Sequence, residues 1–439
     1  MSNCTTKNFI FTRLKKRNVI ANFDGGAITS DGGALLLREV DRALKLTEQV
    51  AKEFKDNRDP AYVKHSILTM VRQRVFGIAL GYADLNDHDT LRKDIAIQTS
   101  VGQDKDLASS PTLCRFENTA DRDLAVAIHK IMIEQFIASH NTVPKELVLD
   151  FDATDDLVHG NQIGKYYHGY YKNYCFLPLY VFCGKKLLVS YLRTSDKDAA
   201  RHAWAILALL VKRLRQAWPD VKIIFRGDSG FCRHEMFEWA DKNGVFYITG
   251  IAKNPNLTKA LQPLMLEAEQ EFERTKEKQR KFTEFMYGAK SWKRERRVIG
   301  KAEHTNEGAN PRFVVTNLED EDPQTLYDEH YCARGDMENR IKEQQLYLHA
   351  DRTSCHDWWP NQLRLLFASL AYILLEQLRE CALVTTDLTH ATVETIQLKL
   401  FKVGAIITRN TRTIRLKLAS SYPYQAMFKF VYKILIASG

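Results

Sequence analysis

The sequence predicts a mixed α/β protein: helices cover a mixed sheet, a helical domain precedes the sheet, and a β-rich insertion interrupts it. Three observations lead to this prediction. From Ala34 to His140 the apolar residues recur at helical spacing. From Pro144 to Thr249 the order is three strands, helix, strand, helix, strand, which suits a sheet covered by helices. From Lys253 to Asn317 charged, helix-like residues and then strand-like segments interrupt this order.

Size and composition limit the possible functions. The 439 residues allow two or three domains, and a net charge of +9 favours a polyanionic partner. The eight cysteines are scattered without a C-x-x-C pair, which argues against a zinc ribbon or disulfide framework and fits a reducing cytosol. Arg364 and Glu376 interrupt the apolar run from Trp358 to Cys381, which predicts a buried helix. The N-terminus lacks the apolar run of a signal peptide, so we expect a cytoplasmic protein without a membrane partner.

Changes of pattern predict five parts. The first is a helical N-terminal domain, residues 1–142, in which Ser110-Pro111 marks a helix start. The others are the first part of the core at 143–252, the insertion at 253–322, the second part of the core at 323–385 and a basic C-terminal region at 386–439. In that last region Ile414, Leu416 and Leu418 alternate with polar residues, which predicts a hairpin.

Two predicted strands end on an aspartate. Asp152 closes the run that begins at Leu147, and Asp228 follows the strand from Val221 to Phe225. Acids are poor strand formers and are costly to bury unpaired. Each alone could be a turn or cap residue, but together they can meet at one sheet edge, where ligands of open α/β sheets bind. Asp150 stands on the same face as Asp152, so either could be the first acid.

A third acid lies on a predicted helix. In the segment YCARGDME, helical spacing places Tyr331, Arg334 and Glu338 on one face, which Lys342 continues. A carboxylate beside an arginine and a phenol suits a metal and a phosphate bound side by side. Three carboxylates without a cysteine or histidine cluster suit Mg²⁺ or Mn²⁺. Two such ions about 4 Å apart would activate a water or a 3′-hydroxyl and stabilise the leaving oxygen of a phosphodiester.

These residues, in this order, resemble the DDE transposases of bacterial insertion sequences, in particular the group with a ribonuclease H-like core and a β-rich insertion before its glutamate. The matching motifs are Asp152-Ala153-Thr154, Gly227-Asp228-Ser229-Gly230 and Tyr331-x-x-Arg334-x-x-x-Glu338.

The resemblance covers most of the chain and implies a role for each matching residue. Asp152, Asp228 and Glu338 would be the catalytic metal ligands, and Tyr331 and Arg334 would hold phosphates of the transposon end. The Asp-x-Thr pattern favours Asp152 over Asp150. The wider group often has a lysine seven residues after the glutamate. That position is Gln345 here, so Lys342 is the candidate replacement.

Further segments are candidate DNA contacts. Trp292 could stack on a base drawn out of the duplex, or could be half-buried on a solvated strand. Its basic neighbours that we expect to hold phosphates are Lys293, Arg294, Arg296 and Arg297. No acid occurs from Thr395 onward, and the predicted DNA contacts there are Arg412, Arg415 and Lys417. The tyrosines between Tyr166 and Tyr174 could also touch DNA, although a packed loop is the expected role.

Two other functions compete. The run LVLDFDAT resembles the opening of haloacid dehalogenase-like phosphatases, in which Asp150 would be the nucleophile. In that family a strand-ending Ser or Thr precedes the Gly-Asp motif, whereas Thr249 follows Asp228 here. An inactive, transposase-derived DNA-binding protein is the other possibility, although all three acids are present.

We therefore expect a bacterial insertion-sequence transposase that uses two Mg²⁺ or Mn²⁺ ions to cut element ends and join them to target DNA, without a covalent protein–DNA intermediate. Its partners would be double-stranded DNA, as terminal inverted repeats and target. The resemblance implies that the N-terminal domain, residues 1–142, serves DNA binding and dimerisation, and that this domain and the basic C-terminal region recognise the repeats. By analogy, a homodimer would hold two ends in a synaptic complex. The location would be the cytoplasm, on the nucleoid when the protein is bound to DNA.

Overall fold

The computed structural model describes residues 8–319 and 321–437. The first seven residues of the predicted N-terminal domain, Asp320 of the predicted insertion and the last two residues of the basic C-terminal region lie outside these ranges. The chain forms two compact units, one of Met1–Thr119 with Leu374–Gly439 and one of Ala120–Ile373. The five-part division made from the sequence stays a prediction.

The N-terminal part of the first unit is mainly helical. Its elements are β1 (Phe9–Leu14), β2 (Arg17–Ala21), β3 (Ala27–Thr29), α1 (Ala34–Leu44), α2 (Leu46–Lys52), α3 (Ile67–Ala79), α4 (His88–Leu91), α5 (Ile95–Ser100) and α6 (Ser110–Glu117). The Ser66 hydroxyl caps α3 by accepting a bond from the Thr69 amide at 3.2 Å. Buried Arg74 donates to Glu117 at 2.7 Å, so the charge inside this helical layer is paired.

The second unit is built on one large sheet. Its first elements are α7 (Arg122–Ala138), β4 (Glu146–Ala153), β5 (Asp156–Leu157), β6 (Tyr166–His168), β7 (Asn173–Phe176), β8 (Leu179–Cys183), β9 (Lys186–Tyr191), α8 (Ala203–Ala217), β10 (Lys222–Gly227), α9 (His234–Lys242) and β11 (Phe246–Ile251). The strand order β9-β8-β4-β10-β11 is antiparallel on the β9 side and parallel from β4 to β11. This is the ribonuclease H-like order, so the predicted fold class is confirmed.

The strands after β11 extend the same sheet. The elements are α10 (Pro255–Thr275), β12 (Gln279–Tyr287), β13 (Arg296–Thr305), β14 (Gly308–Ala309) and β15 (Arg312–Thr316). Strand β15 pairs antiparallel with β11, β13 pairs with β15, and β12 pairs with β13. Main-chain hydrogen bonds therefore run without a break from the predicted insertion into the core.

An irregular helix leads back across the sheet. Helix α11 (Pro323–Thr325) continues as a π-helical turn (Leu326–Tyr331), a 3₁₀ turn (Cys332–Arg334) and α12 (Gly335–Leu348), and α13 (Trp358–Leu378) follows. The predicted buried helix at 358–381 corresponds to α13.

The two faces of the sheet have different covers. Leu147, Leu149 and Phe151 of β4 pack in a core that includes apolar residues of α8, α9 and α10. On the other face, Val148 of β4 packs against a cluster that includes Leu326 and Tyr327 of the irregular helix. Because side chains alternate along a strand, Asp150 and Asp152 belong to the face that this helix covers.

The C-terminal elements complete the first unit. They are α14 (Val393–Ile396), a π-helical turn (Gln397–Phe401), β16 (Ala405–Arg409), β17 (Ile414–Leu418) and α15 (Gln425–Ala437). Strands β16 and β17 form the predicted hairpin, and β16 also pairs with β3. A Cβ at Gly33 would lie 1.9 Å from the Leu400 carbonyl oxygen, so this close approach of two backbones requires glycine. Among the helices of the described ranges, none has the length and apolar composition needed to cross a membrane.

Candidate active site

Two of the three predicted acids lie at the ends of neighbouring parallel strands. Asp152 is the penultimate residue of β4, and Asp228 directly follows β10. The register pairs Phe151 with Gly227, so the two aspartates come next at the same edge of the sheet. The Asp228 side chain accepts a hydrogen bond from the Gly230 amide at 2.8 Å, which fixes its orientation in the turn.

Arg334 connects the first acid to the third. Its Nη1 lies 3.4 Å from Asp152 Oδ2, and its Nη2 lies 2.7 Å from Glu338 Oε1. The arginine side chain is 19% exposed, so it is partly shielded from water. The structure therefore brings Asp152 and Glu338 to the same guanidinium, although they are far apart in the sequence.

The electrostatics of Asp152 reflect this crowding. The pKa of Asp152 is raised to about 7: burial is the main cause, Asp228 and Glu338 act in the same direction, and Arg334 opposes the shift. The nearby positive charge therefore does not fully offset the negative charge around Asp152. The acidic group at this edge is therefore suited to an additional cation.

The chemistry of the site fits a divalent ion. Three carboxylates without histidine or cysteine form the hard oxygen donor set that Mg²⁺ and Mn²⁺ prefer. The guanidinium of Arg334 stands between two of these acids and supplies positive charge there. Within residues 8–319 and 321–437, no three His, Cys, Asp or Glu side chains are grouped as metal ligands. The three carboxylates are therefore the right kind of donor for Mg²⁺ or Mn²⁺. Their side chains would have to move closer together to bind one ion.

The helix that carries Arg334 and Glu338 is irregular at the site. Tyr331 ends the π-helical turn and Arg334 ends the 3₁₀ turn, whereas Glu338 lies in the first turn of α12. The sequence predicted one helical face, and the contact between Arg334 and Glu338 keeps that i,i+4 relation. π-helical turns often occur at functional sites, because the extra residue shifts the side chains that follow.

Gly250 is a site residue that the sequence interpretation missed. A Cβ at this position of β11 would lie 2.5 Å from the Tyr331 hydroxyl and 3.1 Å from the Ser229 amide nitrogen. Burial raises the pKa of Tyr331, so its phenol stays protonated and can donate a hydrogen bond at neutral pH. A lone glycine inside an apolar strand was the available signal for this close approach.

Asp150 is distinguished from Asp152 by its partner. It is 3% exposed, and both of its oxygens accept hydrogen bonds from Arg226 on β10. Arg226 also donates to the His330 carbonyl, which joins β4 and β10 to the irregular helix. A nucleophilic carboxylate needs a free oxygen, so this arrangement does not favour the phosphohydrolase alternative, and Asp152 is the more available acid.

The two candidates for the missing lysine have different surroundings. Lys342 is exposed on α12, one turn after Glu338. Gln345 is half-buried, and its Nε2 donates to the Asp155 carbonyl at 3.2 Å and to Asp156 Oδ1 at 3.4 Å. Gln345 therefore ties α12 to the segment that follows Asp152.

The predicted contacts in the insertion have partners within the protein. Trp292 packs edge-on against Phe237 and Tyr287, with ring centroids 5.7 Å apart in both pairs. The ion pairs of the basic neighbours are Lys293–Glu238, Arg294–Asp241, Arg296–Asp241 and Arg297–Glu284. A DNA contact by these residues stays a prediction. It requires each cation to leave its carboxylate for a DNA phosphate, or to bind both at once.

The basic C-terminal residues are more accessible. Arg412 lies in the turn between β16 and β17, Arg415 and Lys417 lie on β17, and all three are exposed. They belong to the first compact unit, whereas the three acids belong to the second. Their role in DNA binding also stays a prediction.

Comparison with known proteins identifies the family. The family described as Transposase DDE domain group 1 matches residues 11–438. A cryo-EM structure of a piggyBac transposase synaptic complex with hairpin DNA is similar at 9% identity, with a TM-score of 0.42, over 93% of this chain and 80% of that chain. No curated protein matches the sequence. The family match spans nearly the whole chain, and the chain therefore belongs to the DDE transposases, enzymes that cleave DNA and transfer the cut strands.

Proposed function

We propose that the chain is the transposase of a bacterial insertion sequence and that Asp152, Asp228 and Glu338 are its catalytic acids and metal ligands. The observation that carries this proposal is the contact of one guanidinium, that of Arg334, with both Asp152 and Glu338. The parallel register of β4 and β10 places Asp228 at the same edge. Two bound Mg²⁺ or Mn²⁺ ions would lower the pKa of the attacking hydroxyl and stabilise the leaving oxygen.

Arg334 and Tyr331 would bind the phosphates of the transposon end. The planar guanidinium of arginine matches two phosphate oxygens at once, and a protonated phenol can donate to a third. Arg334 contacts both Asp152 and Glu338, so a phosphate would compete with these carboxylates for it. Tyr331 acts as a donor in this scheme and forms no covalent bond to DNA.

The partners are double-stranded DNA, as terminal inverted repeats and target. Lys342, Arg412, Arg415 and Lys417 supply exposed positive charge for phosphate contacts. Trp292 and the paired cations beside it are a secondary DNA surface. A homodimer would hold two ends together, in the bacterial cytoplasm and on the nucleoid when bound to DNA.

The direct test is cleavage of labelled element-end DNA in Mg²⁺. Asp152→Asn, Asp228→Asn and Glu338→Gln should each abolish cleavage, because each removes a charged ligand, while end binding in a gel-shift assay is largely kept. Glu329→Gln changes an exposed acid of the same helical segment and should cleave normally. Full cleavage by Asp228→Asn in Mg²⁺ would contradict the proposal.

A second measurement separates an active enzyme from an inactive DNA-binding relative. The wild-type protein should join the cleaved end to a target plasmid, and the amount of joined product is measured on a gel. End binding without any strand transfer in Mg²⁺ or Mn²⁺ would favour the inactive alternative.

A further inference from the structure

The segment between the first acid and β8 presents exposed tyrosines. Residues 156–176, which we call the tyrosine hairpin, form a three-stranded antiparallel sheet in the order β5-β7-β6. Its exposed rings are Tyr166 at 47%, Tyr167 at 57%, Tyr170 at 83% and Tyr174 at 54%. The segment expected to be a packed loop thus contains short strands, and these four residues are exposed, although the Tyr167 and Tyr174 rings pack edge-on with centroids 5.6 Å apart.

After its first residue the hairpin carries only positive formal charge, and that first residue, Asp156, is fully buried. From Leu157 to Ser195 the sequence contains no aspartate or glutamate. Lys165 places its ammonium 5.3 Å from the centroid of the Tyr174 ring, and Lys172 is exposed near the tip of the hairpin. Exposed aromatic rings among cations, without carboxylates, are the chemistry on which single-stranded nucleic acids bind by base stacking and phosphate attraction.

The base of the hairpin lies at the catalytic acids. Strand β5 begins at Asp156, shortly after β4 ends at Ala153. Gln345 of α12 donates to the Asp155 carbonyl and to Asp156, so the helix that carries Glu338 holds the start of the hairpin.

The backbone of the hairpin is fixed although its rings are exposed. The Ser195 hydroxyl donates to the Tyr166 carbonyl at 2.8 Å, and the Ile163 amide donates to the His356 carbonyl at 2.8 Å. Gln162 Nε2 donates to the Thr353 carbonyl at 3.0 Å. Rings on a fixed backbone lose little conformational entropy when a base stacks on them.

We propose that the tyrosine hairpin binds unpaired nucleobases of the DNA strand held at Asp152, Asp228 and Glu338, by stacking on Tyr167, Tyr170 and Tyr174. The proposal rests on the proposed function, which brings DNA to these acids. A strand end that is opened beside the cut exposes bases that need a partner in place of the lost stack. The hairpin supplies such a partner next to the cut and so favours the opened form of the end.

Binding without metal tests the proposal. Affinity is measured by fluorescence anisotropy in EDTA, with a labelled oligothymidine and with a fully paired duplex of the same length. The double variant Tyr167→Ala/Tyr170→Ala should bind the oligothymidine about tenfold more weakly, because stacking on aromatic side chains is sequence-tolerant and sizeable. Its affinity for the duplex should stay within about twofold of wild type, since phosphate contacts dominate there.

Matched variants separate stacking from other effects. Tyr167→Phe/Tyr170→Phe keeps both rings and should bind the oligothymidine like wild type. Leu266→Ala removes an exposed apolar side chain from α10 and should also bind like wild type. If the double alanine variant does not show the wild-type circular dichroism spectrum, Tyr170→Ala alone is used, because that ring is the most exposed of the four.

Several outcomes would overturn the proposal. They are equal loss on oligothymidine and duplex, no loss on either, or a change of sedimentation mass instead of affinity, which would identify a protein–protein contact. The assay uses no metal and no cleavage, so it judges the hairpin even if the three acids prove not to be catalytic.

A cleavage experiment adds a functional readout. The alanine variant should cut fully paired end DNA slowly and recover the wild-type rate on end DNA with mismatched bases beside the cut, which is already open. If mismatched DNA does not restore cleavage by the alanine variant, the role of the hairpin is contradicted. The proposed function would still stand if Asp228→Asn abolishes cleavage as expected.

Discussion

Asp150 and Asp152 share one strand and one face, yet their partners differ. Asp150 is saturated by Arg226, whereas Asp152 shares Arg334 with Glu338. The sequence pointed to Asp228 and to the pair Asp150 and Asp152 as candidate site residues, because an acid at the end of an apolar strand is costly to bury unpaired. It could not separate Asp150 from Asp152, because the partner of Asp150 lies on another strand.

Asp150→Asn should destabilise the protein. The substitution leaves Arg226 as a buried cation with a weaker partner, and breaking such a pair costs about 3–5 kcal/mol. Urea unfolding should show this loss. The control Asp150→Leu/Arg226→Met removes both charges and should recover most of the stability. A stable Asp150→Asn protein that no longer cleaves DNA would instead make Asp150 a catalytic acid.

Gly250→Ala should disturb Tyr331. The added methyl would lie 2.5 Å from the Tyr331 hydroxyl, so the ring must move, at a cost of about 1–3 kcal/mol. Thermal unfolding should show a lower melting temperature, and Gly250→Ala/Tyr331→Phe should regain part of it because the hydroxyl is gone. If the double variant is as unstable as the single one, the contact with the Ser229 backbone causes the loss.

At the scale of elements, hydrophobic periodicity predicted the core strands well. Both faces of β4 and β10 are covered, so each strand contains a short apolar run that is visible in the sequence. The π-helical turn before Arg334 has no comparable local signal. The partners of Trp292 and of the basic residues beside it come from α9 and β12, so their packing depends on tertiary structure that a short window of sequence does not contain.

Strand β13 carries a pH-sensitive ion pair. Burial raises the pKa of Glu303, but bonds to Lys301 and Lys278 outweigh burial and lower the pKa from 4.5 to about 2. A lowered pKa in the folded state means that the stabilisation is complete above pH 4.5 and is lost as the pH falls towards 2. The full shift corresponds to about 3 kcal/mol.

Glu303→Gln should therefore lower stability at neutral pH and remove this contribution to acid sensitivity. Urea unfolding of both proteins across this pH window measures the difference, which should shrink as the pH falls. Glu307→Gln, an exposed acid in the adjoining turn, should follow the wild-type profile. A difference that is constant with pH would show that the carboxylate does not titrate as described.

At the scale of the whole molecule, the net charge of +9 makes DNA binding sensitive to salt. We expect exposed cations such as Arg412 and Arg415 to contribute more to DNA binding than cations already paired with carboxylates, such as Lys293 and Arg294. Arg412→Gln/Arg415→Gln should lower the slope of log affinity against log salt by about 2. Lys293→Gln/Arg294→Gln is the matched control and should change the slope little. If both double variants give the same slope, Arg412 and Arg415 do not contact DNA phosphates as expected.

The unbroken ladder from β4 through β11 to β12 has a mechanical consequence. Strands of the insertion cannot swing as an independent body, because each displacement would rupture several inter-strand bonds at once. A ligand bound by β12 and β13 would therefore stay at a fixed distance from Asp152 and Asp228.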